Sequence, residues 1–172
     1  MSARNNRGFT LIELTLVMVL IAITMTFAVP GLSSFVFNDP LKKTTRKLTL
    51  LITRASQQAL NTSLPYTLKY DIGSRSFTAQ AVVGSDGEED VGSWQKLSLP
   101  DSVELRDIAF STKGVLASSR ATIYCNEKGY LEPCLIHLQN QGGDVMTLKL
   151  SPFAGKVTVY KQDLALTADT FR

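Results

Sequence analysis

Between Phe9 and Val29 the chain reads FTLIELTLVMVLIAITMTFAV, an apolar run broken by one charged side chain, Glu13. Crossing the hydrocarbon of a bilayer as a helix takes about 20 predominantly apolar residues. The run is long enough to do so. A secretory signal peptide is the rival reading, but its apolar part covers roughly 7–15 residues and closes on a small-residue cleavage site. Here the run is longer and "AVPG" is a weak match to such a site, so the spacing predicts a retained transmembrane helix over residues 9–29.

Glu13 sets the terms for that helix. A charged side chain in hydrocarbon costs a few kcal/mol on insertion scales, about 2.5–3.5, so it needs a partner or an escape. The apolar run contains no Lys or Arg. A cut after Gly8 would leave a free amine on Phe9, one helical turn from Glu13. That amine could neutralise the carboxylate within one helix or between two staggered ones. The alternative is a glutamate that snorkels at the membrane edge and has no part in assembly.

The rest of the chain reads as a soluble domain. With 172 residues there is room for one ordinary domain beside a membrane segment. The net charge of +3 fits neither a basic nucleic-acid tail nor an acidic disordered chain. Arg4 and Arg7 directly precede the span, favouring a cytoplasmic N-terminus. Lys42, Lys43, Arg46 and Lys47 follow farther on and argue the other way in a wider window. Cys125 and Cys134 are close enough in sequence for one disulfide, which persists in an oxidising compartment such as the periplasm. Closing that short loop would contribute roughly 2.5–3 kcal/mol. Redox or metal chemistry is the other use of two cysteines, and their spacing is too wide for a Cys-x-x-Cys pair.

The segment RGFTLIEL, residues 7–14, resembles the class III signal of type IV pilins and pseudopilins. The resemblance implies that a prepilin peptidase removes the leader, residues 1–8, after Gly8. It also implies methylation of the new N-terminal residue, Phe9. In assembly, the glutamate at the position of Glu13 pairs with the terminus of a neighbouring subunit. Pro30, followed by Gly31, matches a family proline at which the helix can break or stretch; a plain helix end is the other reading.

Downstream, NDPLKKTTRKLTLLITRASQQALN predicts an amphipathic stalk helix within residues 30–62. Asp39 and Pro40 suit its first turn. Leu41, Leu48, Leu51, Ile52, Ala55 and Ala59 recur at helical spacing and form its apolar face. Lys42, Lys43, Arg46, Lys47 and Arg54 form either a solvated face or a contact for anionic lipid or a neighbouring subunit.

From residue 63 the period changes. Short β-branched and aromatic segments alternate with turn signals to residue 172, predicting a periplasmic, antiparallel all-β head, sandwich-like. The expected fold class is α+β, a long N-terminal helix packed on that head. "FSTKG" at 110–114 and "LSPFAGKVTVYK" at 150–161 resemble the GspH/FimT branch, which comprises minor pseudopilins of type II secretion and minor pilins of type IV pili. Some FimT proteins bind DNA through a Gly-Arg-x-Arg strand. Here the matching stretch, Gly155 to Thr158, keeps one cation, Lys156, and has Thr158 in place of the second. Fewer cations mean weaker phosphate binding, so nucleic acid is not expected as a partner.

Chemistry of other kinds finds little support. His137, the sole histidine, reads as a surface strand residue sharing a face with Leu135 and Gln139. The acidic loop 84–90 (GSDGEED) could offer oxygen ligands to calcium but lacks EF-hand spacing and reads first as a solvated hairpin loop. No catalytic constellation, cofactor or metal is expected. The resemblance implies a structural, non-enzymatic subunit held in the inner membrane by a single pass. Its implied partners are other pseudopilins at the filament tip, the prepilin peptidase, and the secretin or a secreted substrate. The resemblance implies a GspH-like minor pseudopilin, with a FimT- or FimU-like minor pilin as the alternative.

Overall fold

The computed structural model describes residues 11–37, 39–83, 89–117, 122–152, 156–167 and 169–171. The chain forms two compact units, residues 1–39 and 40–172. Among the described residues the first contains one helix, α1 (Leu11–Phe37). Large apolar side chains from Leu11 to Met25 are exposed around its whole perimeter, with Leu11 81% accessible. Two of its hydroxyls are satisfied within the helix: Thr15 Oγ1 donates to Ile12 O at 2.9 Å, and Thr24 Oγ1 contacts both Leu20 O and Ile21 O at 2.9 Å.

The helix break expected at Pro30 is not found, because α1 continues through it to Phe37. Proline removes one rung of the ladder. The bonds on either side, once a helix is nucleated, propagate past a single gap. The interruption comes instead just before Pro40. A residue preceding proline is pushed out of the helical region, and Asp39 lies outside both helices.

The second unit begins with α2 (Pro40–Thr62). Leu41, Leu48, Leu51, Ile52, Ala55 and Ala59 are buried on one face, as their spacing predicts. Thus the head includes the stalk helix and starts at residue 40 rather than 63. Among the described residues nine antiparallel strands follow: β1 (Tyr66–Asp71), β2 (Ser76–Val83), β3 (Glu89–Ser98), β4 (Val103–Phe110), β5 (Gly114–Ala117), β6 (Thr122–Cys125), β7 (Cys134–Asn140), β8 (Val145–Leu150) and β9 (Val157–Tyr160). They form a four-stranded sheet in the order β3-β2-β1-β6 and a five-stranded sheet in the order β5-β4-β7-β8-β9. The apolar face of α2 shares one core with the inner residues of both sheets, including Leu68, Phe77, Ile123, Phe110, Ile136 and Leu148.

Two polar contacts fix α2 on this core. Thr45 Oγ1 lies 3.7 Å from Met146 Sδ, and Ser56 Oγ donates to Gly129 O at 2.7 Å. Gly129 has φ +72°, and a Cβ there would lie 2.9 Å from Leu60 Cγ and 3.0 Å from Ser56 O. We expect Gly129→Ala to destabilise the head by about 1–3 kcal/mol, from strain and displacement of the helix end. Urea unfolding of the two chains side by side checks this, and an unchanged midpoint would refute it.

Candidate functional site

The two units present different surfaces. In α1 the acidic Glu13 lies in the first turn, where the helix dipole favours negative charge. Gly8 and Phe9, the expected cleavage and methylation positions, lie outside the described residues. A helix that is apolar all round must be buried in a core, in lipid or against other helices. Among the described residues no helix is long and apolar enough to cross a membrane. The described apolar side chains run from Leu11 to Met25, short of the roughly 20 residues a span takes.

On the head, the structure assembles a cluster that sequence reasoning missed. His137 is not a surface residue: it is 4% accessible. Its Nδ1 is 2.5 Å from Asp107 Oδ1, and its Nε2 is 3.0 Å from Leu164 O. Each ring nitrogen thus faces an oxygen, one of a carboxylate and one of a backbone carbonyl. Asp107 accepts a second bond from Arg106 Nε at 2.8 Å. The two Nη atoms of Arg106 reach Asp163 as a bidentate pair, each at 2.8 Å. One strand away, buried Thr147 donates to Gln162 O at 2.7 Å and accepts from Leu164 N at 3.2 Å. Farther along, Phe171 lies 5.7 Å from the ammonium of Lys149.

These contacts bind the segment after β9 as a strap across the face of the five-stranded sheet opposite the core. Strand alternation correctly places His137 and Leu135 on that face, but the strap covers it. A β-bulge completes the cluster. The β4–β7 register shifts between Leu105 and Asp107, so Asp107 comes opposite His137 while Leu105 and Ile108 still face the core. The extra residue, Arg106, is left to reach Asp163.

The Arg106 bond holds the Asp163 carboxyl below the usual carboxylate range. A carboxylate whose folded pKa is depressed contributes stability above its unfolded pKa of about 4 and loses it as pH falls through the folded value. We expect the strap to hold at neutral pH and to loosen below about pH 4. Hydrogen exchange at the Leu164 amide across that range tests this; uniform protection would refute it.

The disulfide expected between Cys125 and Cys134 is not formed: both are buried free thiols. They lie on strands of different sheets, at the end of β6 and the start of β7. Burial raises the Cys125 thiol to about 11 and pushes Cys134 higher still. Such thiols are poor nucleophiles and poor ligands. The intervening loop is held instead by Asn126, whose Oδ1 accepts from the amides of Lys128 and Tyr130 at 3.0 and 2.9 Å.

The acidic run is only partly loop. Glu89 and Asp90 pair with Val83 and Val82 in β3, while Asp86 and Glu88 lie outside the described residues. Among the described residues no group of His, Cys, Asp and Glu could hold a metal ion. Lys156 is exposed just ahead of β9, and Thr158 pairs with Lys149. Gly155 lies outside the described residues. An open cleft of about 360 Å³ includes Tyr70, Arg75, Asp101 and Glu104. Its guanidinium is engaged by backbone, with Arg75 Nη2 donating to Val103 O at 2.9 Å.

Comparison with known proteins matches both ends of this description. Residues 3–29 match the prokaryotic N-terminal methylation motif. The fold resembles the minor pseudopilin EpsH of the Vibrio cholerae type II secretion system, with a TM-score of 0.58 and 11% identity over 74% of this chain and 97% of that one. It also resembles the type IV minor pilin FimU of Pseudomonas aeruginosa, with a TM-score of 0.53 and 12% identity over 70% of this chain and 87% of that one. A match to the methylation motif is thus joined, in one chain, to an α+β head similar in fold to the minor pseudopilin EpsH. No curated protein sequence matches this chain. The similar structures are structural subunits. The exposed apolar side chains of α1, Leu11 to Met25, lie within the matched motif, and the strap cluster lies on the head.

Proposed function

We propose that this chain is a GspH-like minor pseudopilin, a structural subunit of a type II secretion pseudopilus, without enzymatic activity. The observation carrying this reading is a methylation motif over residues 3–29 ahead of a head with the EpsH fold. In this mechanism residues 1–8 are removed after Gly8 on the cytoplasmic side of the inner membrane, and Phe9 is methylated. The apolar segment 9–29 anchors the chain, and the head stands in the periplasm. On assembly the apolar perimeter of α1 moves from lipid to a bundle of neighbouring helices. That exchange involves little hydrophobic gain and relies on packing and polar pairing. Glu13 then registers the subunit by meeting the ammonium of a neighbour's Phe9, so neither charge stays bare in hydrocarbon.

The FimU likeness supports a second reading, a minor pilin of a type IV pilus. Both readings share the same processing, which is tested first. In cells with an intact assembly system, mass spectrometry should find a chain starting at Phe9 and carrying one added methyl group. A chain retaining residues 1–8 overturns both. Co-purification with secretion pseudopilins or with pilus subunits separates them.

A further inference from the structure

One face of α2 is unlike the rest of the head. Lys43, Lys47, Leu50 and Arg54 follow one another at spacings of four, three and four residues, forming a single exposed stripe. The stripe runs beside two adjoining hollows of about 370 and 160 Å³, and Lys47 lines both. Their far wall is the end of β3 and the turn after it, with Lys96, Leu97, Leu99 and Pro100. Among the described residues no Asp or Glu lines either hollow. Among the described residues, no ion pair joins Lys43, Lys47 or Arg54 to an acidic side chain. Leu50 stands in the middle of the stripe, 54% accessible.

From this we infer that the groove between α2 and β3 docks an acidic, amphipathic segment of another protein subunit. The partner segment would set Asp or Glu against Lys43, Lys47, Arg54 and Lys96, and aliphatic side chains against Leu50 and the groove floor. The mixed lining favours such a segment over a phosphate backbone or a lipid headgroup layer, which supply charge without apolar surface to cover Leu50. The stripe from residue 43 to residue 54 is about 16 Å long at helical rise, room for three turns of a partner helix or a short strand. Opposite charges along such a groove mainly set specificity and encounter rate, with the apolar centre excluding water.

The inference rests on the subunit reading above, and the two can fail separately. A photoactivatable phenylalanine analogue is placed at Leu50 in the full-length chain, expressed with its native assembly system. Leu60, equally exposed on α2 but outside the groove, serves as the control position. The expected result is one discrete protein adduct from position 50, mapping by mass spectrometry to an Asp- or Glu-rich segment of another subunit. Combined Lys47→Glu and Arg54→Glu should lower its yield about tenfold, since like charges are then juxtaposed. Both residues are exposed, so the head should keep its folding midpoint. Equal adducts from Leu60, insensitivity to charge reversal, or no adduct overturns the docking groove. So does an adduct only with lipid, nucleic acid or a second copy of this chain. Processing at Gly8 is read in the same gel, so its loss counts against the subunit reading and not against the groove.

Discussion

Full-length chain carrying Glu13→Ala should be processed and keep its head folded, yet fail to enter the filament. Glu13 lies in the first turn of α1, far in sequence from the core that begins at Leu41, so its removal leaves the head packing intact. The effect falls on assembly. If the carboxylate neutralises the ammonium of a neighbour's Phe9, the alanine variant strands that cation in hydrocarbon. A bare charge there costs about 2.5–3.5 kcal/mol, which corresponds to roughly a hundredfold loss of incorporation. Shearing filaments from cells and quantifying this subunit measures the loss directly. Limited proteolysis of the membrane fraction reports whether the head is still folded. Incorporation at the normal level would show that Glu13 has no registering role and instead snorkels at the membrane edge.

The second large effect is expected within the head. Asp107→Ala removes the acceptor from a histidine ring that is almost wholly buried, and removes one of the two carboxylates held by Arg106. An unsatisfied buried donor costs about 1–3 kcal/mol and a broken buried ion pair about 3–5. Asp107 keeps a 20% exposed side chain, which places the expected loss near the lower of these, about 2–3 kcal/mol. The change should show as a lower denaturant midpoint together with faster hydrogen exchange at Leu164, because the His137 bond to its carbonyl depends on a correctly held ring. Asp107→Asn retains an acceptor oxygen and should recover most of the loss. A midpoint within about 0.5 kcal/mol of the parent, or exchange confined to other segments, would rule out the cluster as the anchor of the strap.

Local chemistry made much of this molecule legible. The period of Leu41, Leu48, Leu51, Ile52, Ala55 and Ala59 appears as the buried face of α2. The short β-branched and aromatic segments separated by turn residues appear as strands of two antiparallel sheets. The least legible strand is β5, a four-residue edge strand within and just after a stretch that reads as a turn, and Gly114 at its start has a φ of +72°. Edge pairing with β4 outweighs that local turn preference. At Pro30 the local rule was too strong, because a single missing rung does not end a helix whose other bonds remain. At Cys125 and Cys134, closeness in sequence was a poor guide: both are buried free thiols, on strands of different sheets.

By itself the sequence determined the pattern of the motif, the apolar helix and the amphipathic helix, because each depends on residue type at short, fixed spacings. Those spacings survive whatever the rest of the chain does. Tertiary structure alone decided where His137 went. Strand alternation placed it on the face away from the core, but alternation does not say what covers that face. The strap after β9 covers it, 27 residues along the chain from His137 to Leu164. A one-residue bulge at Arg106 decides that Asp107 and not its neighbour meets the ring. Shifting a strand by one residue exchanges its faces, so the cluster depends on a register that only packing of the two sheets and the strap can select.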